Sequence, residues 1–352
     1  MLKQISLLIL CAVAIVLFAT PVHACTSAVV SGKVTLDGRP LLWKNRDTDF
    51  MRNHVDYVKG ERYDFIAVVN SANAYLKEAW MGTNSAGFAL MNTQSYNLVD
   101  VKGDEERGAA NGRVIYRALE VCATVEDFCH FLDTISKPSD IEANFGVIDA
   151  QGGAAMFEVD YYKYVMYDAN NPKDAPYGYI ARTNFSFAGK VNEGAGYVRY
   201  MEADQVLMKA SATGNITPQF IFNDLSRSFR NRMLDIDLRS GGYNRPQASG
   251  WFIDQDFIPR SSTSCSVVVQ GVKPGVKAEL TTMWTLLGYP PTGIAVPLWV
   301  KDAGKLLPGM VRFNREHEAA LLSDWSLRLA DRVFSYKQGM GTGRYLNWER
   351  LY

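Results

Sequence analysis

The strands predicted from this sequence arrive in pairs separated by short turns, and this restricts the fold more than any other feature. Apolar runs predict strands over 25–31 and 40–44, joined by a turn at Asp37-Gly38. Because strands joined by short turns pair antiparallel, the sequence favours antiparallel sheets. A doubly wound nucleotide-binding fold alternates strands and helices strictly, and the order found here excludes it.

The remaining elements follow as strands, helices, strands, helices, strands and a last helix. Further strands are predicted over 64–71, 86–93, 145–149, 154–159, 161–167, 179–183, 264–270, 278–284 and 294–300. Apolar spacing near 3.6 residues predicts helices over 111–121, 125–135, 197–210, 218–229 and 316–338. In the last helix, the four-residue stripe of Leu321, Trp325, Leu329 and Val333 is interpreted as core packing. With no repeat and no low-complexity linker, residues 25–352 are predicted to form a single domain.

Residues 1–24 have the pattern of a signal peptide. Lys3 precedes an apolar run over 5–18, Pro21 ends it, and Val22-His23-Ala24 offers short residues for a peptidase. The run is shorter than the roughly 20 residues that a membrane-spanning helix needs. We therefore expect cleavage after Ala24 and export to the periplasm or the extracellular space, without an integral membrane span.

Cleavage after Ala24 leaves Cys25 as the first residue, and two chemistries require a cysteine there. One is lipidation of the thiol, as in a lipid-anchored protein. The other is catalysis, in which the thiol is the nucleophile and the free α-amine, whose pKa is about 7.7–8.0, is its base. A chance juxtaposition of the cleavage point and a cysteine is the third alternative, and the signal by itself leaves all three open.

The other mature cysteines have amide nitrogens, which cannot act as bases. Cys122, Cys129 and Cys265 are therefore interpreted as core or disulfide residues. In one helix, Cys122 and Cys129 would lie about 10.5 Å apart along the axis, too far for a disulfide. A helix break near Thr124, which could cap the following helix, would be needed to bring them together.

The composition excludes several classes of function. The chain has 37 basic and 37 acidic residues, so no general nucleic-acid role is indicated. Four histidines make a His-rich metal site unexpected, and no P-loop, HExxH, GxSxG or SxxK motif occurs. The glycines 339, 341 and 343 follow a helix and are interpreted as a flexible hinge, not a phosphate-binding loop.

The segment from Cys25 to Asp47 resembles the start of the N-terminal nucleophile (Ntn) hydrolases. Cys25-Thr26-Ser27-Ala28-Val29-Val30 and Leu41-Leu42-Trp43-Lys44-Asn45-Arg46-Asp47 are similar to the linear-amide C–N hydrolases, which include the choloylglycine hydrolase, penicillin V acylase and peptidase C45-like (isopenicillin acyltransferase) groups. Their pattern is a mature N-terminal Cys followed by Arg-Asn-x-Asp. Here Lys44 holds the Arg position, and we expect Arg46 to point to the opposite face of the strand.

Further similarities to this superfamily occur downstream in the same order, over about 25–300. They are Gly82-Thr83-Asn84-Ser85-Ala86-Gly87-Phe88, Met91-Asn92-Thr93, Thr183-Asn184, the segment from Arg260 into a strand, and Met283-Trp284 through Gly288 with Pro290 and Pro291. Each match is short, but the ordered set behind a processing site favours catalysis over lipidation.

The resemblance implies an α+β fold, a four-layer αββα sandwich of two antiparallel sheets flanked by helices, and chemistry without metal or cofactor. It implies that Cys25 is the nucleophile and that Asp47 orients its α-amine. Lys44 or Arg46 would stabilise the thiolate. The oxyanion would be bound by the side chain of Asn184 and the backbone N–H of Asn92, with Arg260 adding positive charge.

The predicted function is hydrolysis of a non-peptide linear amide through an acyl-enzyme on Cys25. The small-molecule substrate would be an N-acyl amino acid, a bile-salt conjugate or a penicillin-type side-chain amide. Tyr57, Phe65, Trp80 and Tyr96 make an apolar acyl pocket plausible. The alternatives are an acyltransferase with the same site, a lipid-anchored non-catalytic envelope protein, and a degenerate relative that only binds amides. The sequence does not decide between a monomer and a homo-oligomer.

Overall fold

Two antiparallel sheets pack face to face in the computed structural model, and helices cover the outer face of each. The structure describes residues 24–99, 108–240, 251–253, 256–337 and 343–351. Apart from Ala24, which is buried, the predicted signal peptide lies outside the described residues.

The first sheet carries Cys25 on its first strand. Its six strands are, in spatial order, β10 (Tyr179–Arg182), β1 (Cys25–Val30), β2 (Leu41–Asp47), β14 (Thr263–Gln270), β15 (Thr282–Leu287) and β16 (Ala295–Leu298), all antiparallel to their neighbours. β2 is longer than predicted because its polar end, from Lys44 to Asp47, continues as buried strand. That extension places the polar end of β2 directly beside Cys25.

The second sheet is a meander of seven strands in chain order. They are β3 (Asn53–Val58), β4 (Phe65–Asn70), β5 (Met81–Asn84), β6 (Ala89–Gln94), β7 (Ala143–Ile148), β8 (Ala154–Val159) and β9 (Tyr164–Asp168). The sequence did not predict β3, whose apolar residues are interrupted by polar ones, or β5, which is four residues long.

The helices have the following bounds. They are α1 (Asn111–Val121), α2 (Val125–Thr134), α3 (Tyr197–Ser211), α4 (Pro218–Phe220), α5 (Ala303–Leu306), α6 (Leu321–Val333) and α7 (Trp348–Leu351). Short 3₁₀ turns occur at Gly32–Val34, Ala74–Leu76, Leu238–Ser240, Ala278–Leu280 and Pro290–Thr292. As predicted, Thr124 caps α2, in a capping box with Asp127.

The layers follow from which face of each strand is apolar. On the outer face of the second sheet, Phe65 and Phe157 pack against α1 and α2. On the outer face of the first sheet, Trp43 and Val268 pack against α3. The order is therefore helix, sheet, sheet, helix, and the four-layer α+β sandwich is confirmed.

The two sheets meet across an apolar inner core. Val29 and Leu42 from the first sheet contact the cluster that contains Met91 and Met156 from the second. A Cβ at Gly146 on β7 would lie 2.3 Å from Met91 Cε and 2.8 Å from Leu42 Cδ1, so the close approach of the sheets requires glycine there.

Three predicted elements were wrong in type or extent. The helix over 218–229 is limited to α4 and a π-helical turn, Ile221–Leu225. The strand over 278–284 begins at Thr282, after a 3₁₀ turn. The helix over 316–338 is α6, which is shorter because 314–319 form a turn and the chain passes into a strand at Phe334.

The interpretation of the stripe on α6 as core packing was wrong for Trp325 and Leu329, whereas Val333 is buried in the core. Trp325 and Leu329 are about half exposed, at 53% and 48%. The buried face of α6 is one residue further along and is made largely of small and polar side chains. Its members are Leu322, Ser323, Asp324, Ser326, Ala330 and Val333.

Small β elements complete the described chain. They are β11 (Arg230–Asn231) paired with β12 (Ile236–Asp237), and the sheet of β13 (Trp251–Ile253), β18 (Gly343–Asn347) and β17 (Phe334–Lys337). Gly343 begins β18, and the other two glycines of the predicted hinge lie outside the described residues.

Candidate active site

Cys25 occupies the first position of β1, and its neighbours follow from the strand register. It lies directly opposite Arg46 on β2, and Cys265 on β14 lies opposite the other side of Arg46. Val29, four residues along β1, belongs to the inner core, so Cys25 also faces the space between the sheets. Only 6% of Cys25 is exposed.

The backbone nitrogen of Cys25 is held by Asn184. It donates to Asn184 Oδ1 over 2.9 Å, and Asn184 Nδ2 donates to the carbonyl of Gln94 over 2.9 Å. Asn184 is fully buried just after β10. The structure therefore brings together two of the residues that the sequence placed in the site.

Arg199, which sequence reasoning missed, binds both of these residues. Its Nη1 donates to the carbonyl oxygen of Cys25 over 2.6 Å and to Thr26 Oγ1 over 2.9 Å, and its Nη2 donates to Asn184 Oδ1 over 2.9 Å. Burial, reinforced by Arg260, lowers the pKa of Arg199 to about 10. The sequence contained one indication that Arg199 is buried, because this arginine lies four residues before Ala203, on the apolar face of a predicted helix.

Lys44 is buried between the sheets and is bound to the second sheet. Its Nζ donates to Asn92 Oδ1 over 2.9 Å and to the carbonyl of Trp80 over 3.2 Å. Burial lowers the pKa of Lys44 to about 8, the neighbouring Cys25 opposes this shift, and Arg46 reinforces it. The predicted site residues Lys44 and Asn92 are thus in direct contact.

Arg46 faces the same cavity as Lys44, so the expectation that it points the opposite way was wrong. The two residues are two positions apart, and alternate residues of a strand share a face. Arg46 donates from Nη1 to Asn53 Oδ1 over 2.8 Å, and its guanidinium lies 4.5 Å above the ring centre of Trp80. Burial lowers its pKa.

Asp47 and Arg260 are also brought together. Asp47 accepts a 2.6 Å hydrogen bond from Thr263 Oγ1, and Arg260 Nε lies 3.4 Å from its second oxygen. Burial raises the pKa of Asp47, and Arg260 opposes that shift. Because the described chain includes Ala24, the Cys25 nitrogen is a backbone amide here, and its hydrogen bond goes to Asn184. Orientation of a free α-amine by Asp47 stays a prediction.

A cavity of about 310 Å³ opens beside Cys25. Both polar and apolar residues line this cavity. They are Cys25, Lys44, Arg46, Asp47, Thr48, Phe50, Asn70, Asn73, Leu76, Glu78, Trp80, Asn92, Gln94, Gly108, Ala109, Asn111 and Arg113. A larger cavity of about 420 Å³, near Glu202 and Arg232 beside α3, has no cysteine in its lining. A third cavity, of about 410 Å³, is lined by Cys122, whose pKa is raised to about 12 by burial. The chemistry of a thiol nucleophile therefore selects the smaller cavity, beside Cys25.

The aromatic residues proposed for an acyl pocket are dispersed. Trp80 lines the cavity, whereas Phe65 packs in the outer core and Tyr57 donates to Asp64 elsewhere on the second sheet. Burial raises the pKa of Tyr96, and the Cys25 thiol adds to that shift. The cavity wall is therefore more polar than the predicted apolar pocket.

The remaining cysteines are free thiols. Cys122, Cys129 and Cys265 form no disulfide. In the described ranges, no group of three or more His, Cys, Asp or Glu side chains could hold a metal ion. Within the same residues, no helix has both the length and the apolar character required to span a bilayer.

Two packed antiparallel sheets covered by helices, with Cys25 at the start of the first strand, are the fold of the Ntn enzymes. The model of the acyl-coenzyme A:6-aminopenicillanic acid acyl-transferase family matches residues 35–219, more than half of the chain. The chain belongs to this family. The matched segment contains Asp47, Asn92, Asn184 and Arg199, and Cys25 and Arg260 lie outside it.

The chain is similar in structure to three solved proteins. A mutant of the conjugated bile acid hydrolase from Clostridium perfringens is 13% identical, with TM-score 0.46 over 79% of this chain and 93% of the other. Penicillin V acylase from Agrobacterium tumefaciens is 15% identical, with TM-score 0.39 over 75% and 82%. The Caenorhabditis elegans ortholog of N-acylethanolamine-hydrolyzing acid amidase is 17% identical, with TM-score 0.37 over 57% and 89%. No curated protein matches the chain.

Proposed function

We propose that this protein hydrolyses a non-peptide linear amide by forming an acyl-enzyme on Cys25. The observation that carries the proposal is the hydrogen bond from the Cys25 nitrogen to Asn184 Oδ1, at a position where Cys25 also lines a cavity. Membership of an acyl-transferring family supports the same chemistry.

The proposal requires that residues 1–24 are removed during export, so that Cys25 carries a free α-amine. That amine would keep Asn184 Oδ1 as an acceptor and would have Asp47 nearby in the lining of the same cavity. With a pKa of about 7.7–8.0, a useful fraction of such an amine is neutral near pH 7 and can accept the thiol proton.

The reaction then has two halves. In the first, the thiol gives its proton to the α-amine, sulfur attacks the amide carbonyl, and the C–N bond breaks as the α-ammonium returns the proton to the leaving amine. In the second, the α-amine takes a proton from water, the hydroxyl attacks the thioester, and the C–S bond breaks. The products are a carboxylic acid and an amine, and the thiol is restored.

Lys44 and Asn184 are proposed to stabilise the charges that develop. Lys44 lies on the face of Cys25 and would support the thiolate. Asn184 Nδ2 donates to the carbonyl of Gln94, and we propose that it also donates to the oxyanion. The backbone N–H of Asn92 is the second proposed donor, and Arg260 contributes through Asp47.

Transfer of the acyl group to an amine is the second candidate, because the matching family is named for it. It differs only in the group that attacks the thioester. Adding 6-aminopenicillanic acid to the reaction distinguishes the two, since a transferase would form the acylated amine in place of the free acid.

Lipid anchoring of Cys25 is less well supported. Cys25 lies within a six-stranded sheet, next to a fully buried Ala24, and its side chain is 6% exposed. A diacylglycerol chain on its sulfur would have to occupy the polar cavity. A non-catalytic amide-binding protein would need the same cavity but no reactive thiol.

The first test is the mass of the N-terminal peptide of the exported protein. An unmodified chain that starts at Cys25 supports the proposal, and a diacylglycerol or N-acyl group on Cys25 would overturn it. The second test is turnover of a panel of acylated amides. Cys25→Ala should abolish hydrolysis and Cys25→Ser should leave a slow enzyme, with Cys265→Ser as the control that keeps activity.

A further inference from the structure

The cavity of about 420 Å³ beside α3 lies in the helical layer outside the first sheet, away from the cavity that Cys25 lines. Its volume is within the range of about 300–1,000 Å³ that small-molecule sites occupy. The basic side chains in its lining outnumber the acidic ones by one. They are Lys209, Arg230, Arg232 and Arg239, against Glu202, Asp224 and Asp237.

Arg230, on β11, is a half-buried cation without a partner. Its Nε is buried and has no hydrogen-bond acceptor, and its side chain makes no hydrogen bond or ion pair with another residue in the part of the chain that the structure describes. A guanidinium that loses hydration normally gains acceptors, because buried polar groups are rarely left unpaired in native proteins. The donors of Arg230 are therefore available to a ligand.

Glu202 does not supply that partner, because both of its oxygens are already engaged. Its Oε1 accepts from Ser228 Oγ over 2.6 Å, and its Oε2 accepts from Arg232 Nε over 2.7 Å. Glu202 is 2% exposed, so this pair is a fixed part of the cavity wall. The attraction of Glu202 on Arg230 is offset by the repulsion from Arg232.

The other two carboxylates reduce the positive charge of the cavity without cancelling it. Asp237 lies opposite Arg230 in the hairpin of β11 and β12 and attracts it, but its Oδ1 accepts from the backbone nitrogen of Arg239 over 3.0 Å. Asp224 and Lys209 are both exposed and oppose each other. With every attraction counted, four cations and three anions leave one positive charge in the lining.

Part of the same cavity is apolar. Its apolar members include Val206, Ala210, Phe220 and Phe229. A cavity that combines an apolar surface with a few charged groups binds an organic molecule that has both features, since the apolar surface supplies contact area and the charged groups fix the orientation.

We propose that this cavity is a second binding site, which takes a small organic monocarboxylate with an apolar body. One carboxylate balances the single positive charge, and the planar guanidinium of Arg230 matches it with two parallel hydrogen bonds. The apolar body packs against the Phe220 and Phe229 side of the lining. The site goes beyond the proposed function, because binding here requires no reaction at Cys25.

The test compares two probes that share a ring system and differ in charge, 2-naphthoate and 2-naphthamide. Each is titrated calorimetrically into the purified protein after its Cys25 has been alkylated with iodoacetamide, so that no turnover contributes heat. The carboxylate should bind about tenfold more tightly than the amide, the effect of one good charged contact. Inorganic phosphate at the same concentration should not displace 2-naphthoate, because it has no apolar body.

Two variants with opposite effects assign the binding to this cavity. Arg230→Met should weaken 2-naphthoate binding by about tenfold, and Asp237→Asn should strengthen it by about two- to fivefold, because it removes the carboxylate that competes for Arg230. Arg117→Met, which changes an arginine on α1 that pairs with Glu61, is the control and should leave the affinity unchanged.

Equal binding of the acid and the amide, or an unchanged affinity in Arg230→Met, would overturn the site. If Arg230→Met does not fold, Asp237→Asn decides, since weaker binding in that variant would show that the cavity does not hold an anion. Displacement of 2-naphthoate by an equal concentration of phosphate would overturn the monocarboxylate class. Since the readout is binding to protein with a blocked Cys25, none of these outcomes depends on whether the amide panel is hydrolysed.

Discussion

Arg199 Nη2 and the Cys25 nitrogen donate to the same oxygen, Asn184 Oδ1, each over 2.9 Å. Two donors on one oxygen fix which way the Asn184 amide faces, so its NH₂ group is directed away from them, toward the Gln94 carbonyl. Arg199 therefore acts on the site through Asn184 and through the Cys25 carbonyl, and it does not line the cavity.

The first prediction concerns Arg199. Arg199→Met should leave the buried acceptors on Cys25, Thr26 and Asn184 without this donor, at a cost of about 1–3 kcal/mol for each that stays unpaired. We expect a lower Tm and a lower kcat, with KM less affected because Arg199 does not contact the cavity. Arg199→Lys should restore part of kcat. A stable Arg199→Met variant with wild-type kcat would refute the positioning role.

The second prediction concerns the oxyanion. Asn184→Ala should lower kcat by about 10²–10³-fold, as is typical when one oxyanion donor is removed. Steady-state kinetics on a cleaved amide provide the measurement, and circular dichroism checks the fold. The matched variant is Asn92→Ala, which keeps the backbone donor and loses the side-chain contact with Lys44. Full activity in Asn184→Ala would exclude Asn184 as an oxyanion donor.

The third prediction is a loss of activity at alkaline pH. Lys44 has a pKa of about 8, so its charge beside Cys25 is present below that pH and lost above it. Neutralisation of the α-amine near pH 7.7–8.0 gives the kcat/KM profile a rising limb, and loss of the Lys44 charge gives it a falling limb that begins at about pH 8. In Lys44→Arg the positive charge persists, and the fall should move to higher pH by about one unit or more.

Stability should respond to Lys44 in the opposite direction. The pKa is lowered from 10.5 to about 8 in the folded state, so between these values the unfolded chain binds more protons. The penalty of burying this charge is therefore present below pH 8 and is relieved as pH rises toward 10.5. A chemical-denaturation series should show this relief in the wild type and not in Lys44→Arg. A parallel decline of activity and stability would contradict the assignment.

The sequence predicted the layered sheets well because apolar alternation reports burial directly. The bounds of α1 and β8 were predicted as they occur. The sequence analysis missed β3 and ended β2 too early, before its polar end. Both errors arose because the partners that pair buried polar residues lie far away in sequence. Lys44 is buried only because Asn92 and the Trp80 carbonyl receive its hydrogens.

The site residues taken from motif spacing lie close together, but their partners could not be predicted. Asp47 binds Thr263, which is 216 residues away, and Cys25 binds Asn184, which is 159 residues away. Arg199 had a local signal, a charged residue on an apolar helix face, but its targets depend on how α3 docks on β1. Pairings of this kind arise from the packing of whole layers and not from a local pattern.

The fourth prediction concerns the buried ion pair that supports the loop after Asn184. Arg182 Nε donates to Glu158 Oε1 over 2.6 Å, and the two carboxylate oxygens accept from the backbone nitrogens of Phe187 and Ala188. The Arg182 guanidinium also lies 3.8 Å above the Phe187 ring. Glu158 thus links the second sheet to the segment that carries Asn184.

Removing this carboxylate should affect both stability and catalysis. Glu158→Ala leaves Arg182 as an unpaired buried charge and should cost about 3–5 kcal/mol of folding free energy. Because the 185–188 loop loses its anchor, kcat should fall with little change in KM. Glu126→Ala, which removes a largely exposed carboxylate on α2, is the control and should change stability by about 0.5 kcal/mol or less. Denaturation midpoints and single-turnover rates measure the two effects, and a Glu158→Ala variant that loses stability but keeps kcat would show that the ion pair does not position Asn184.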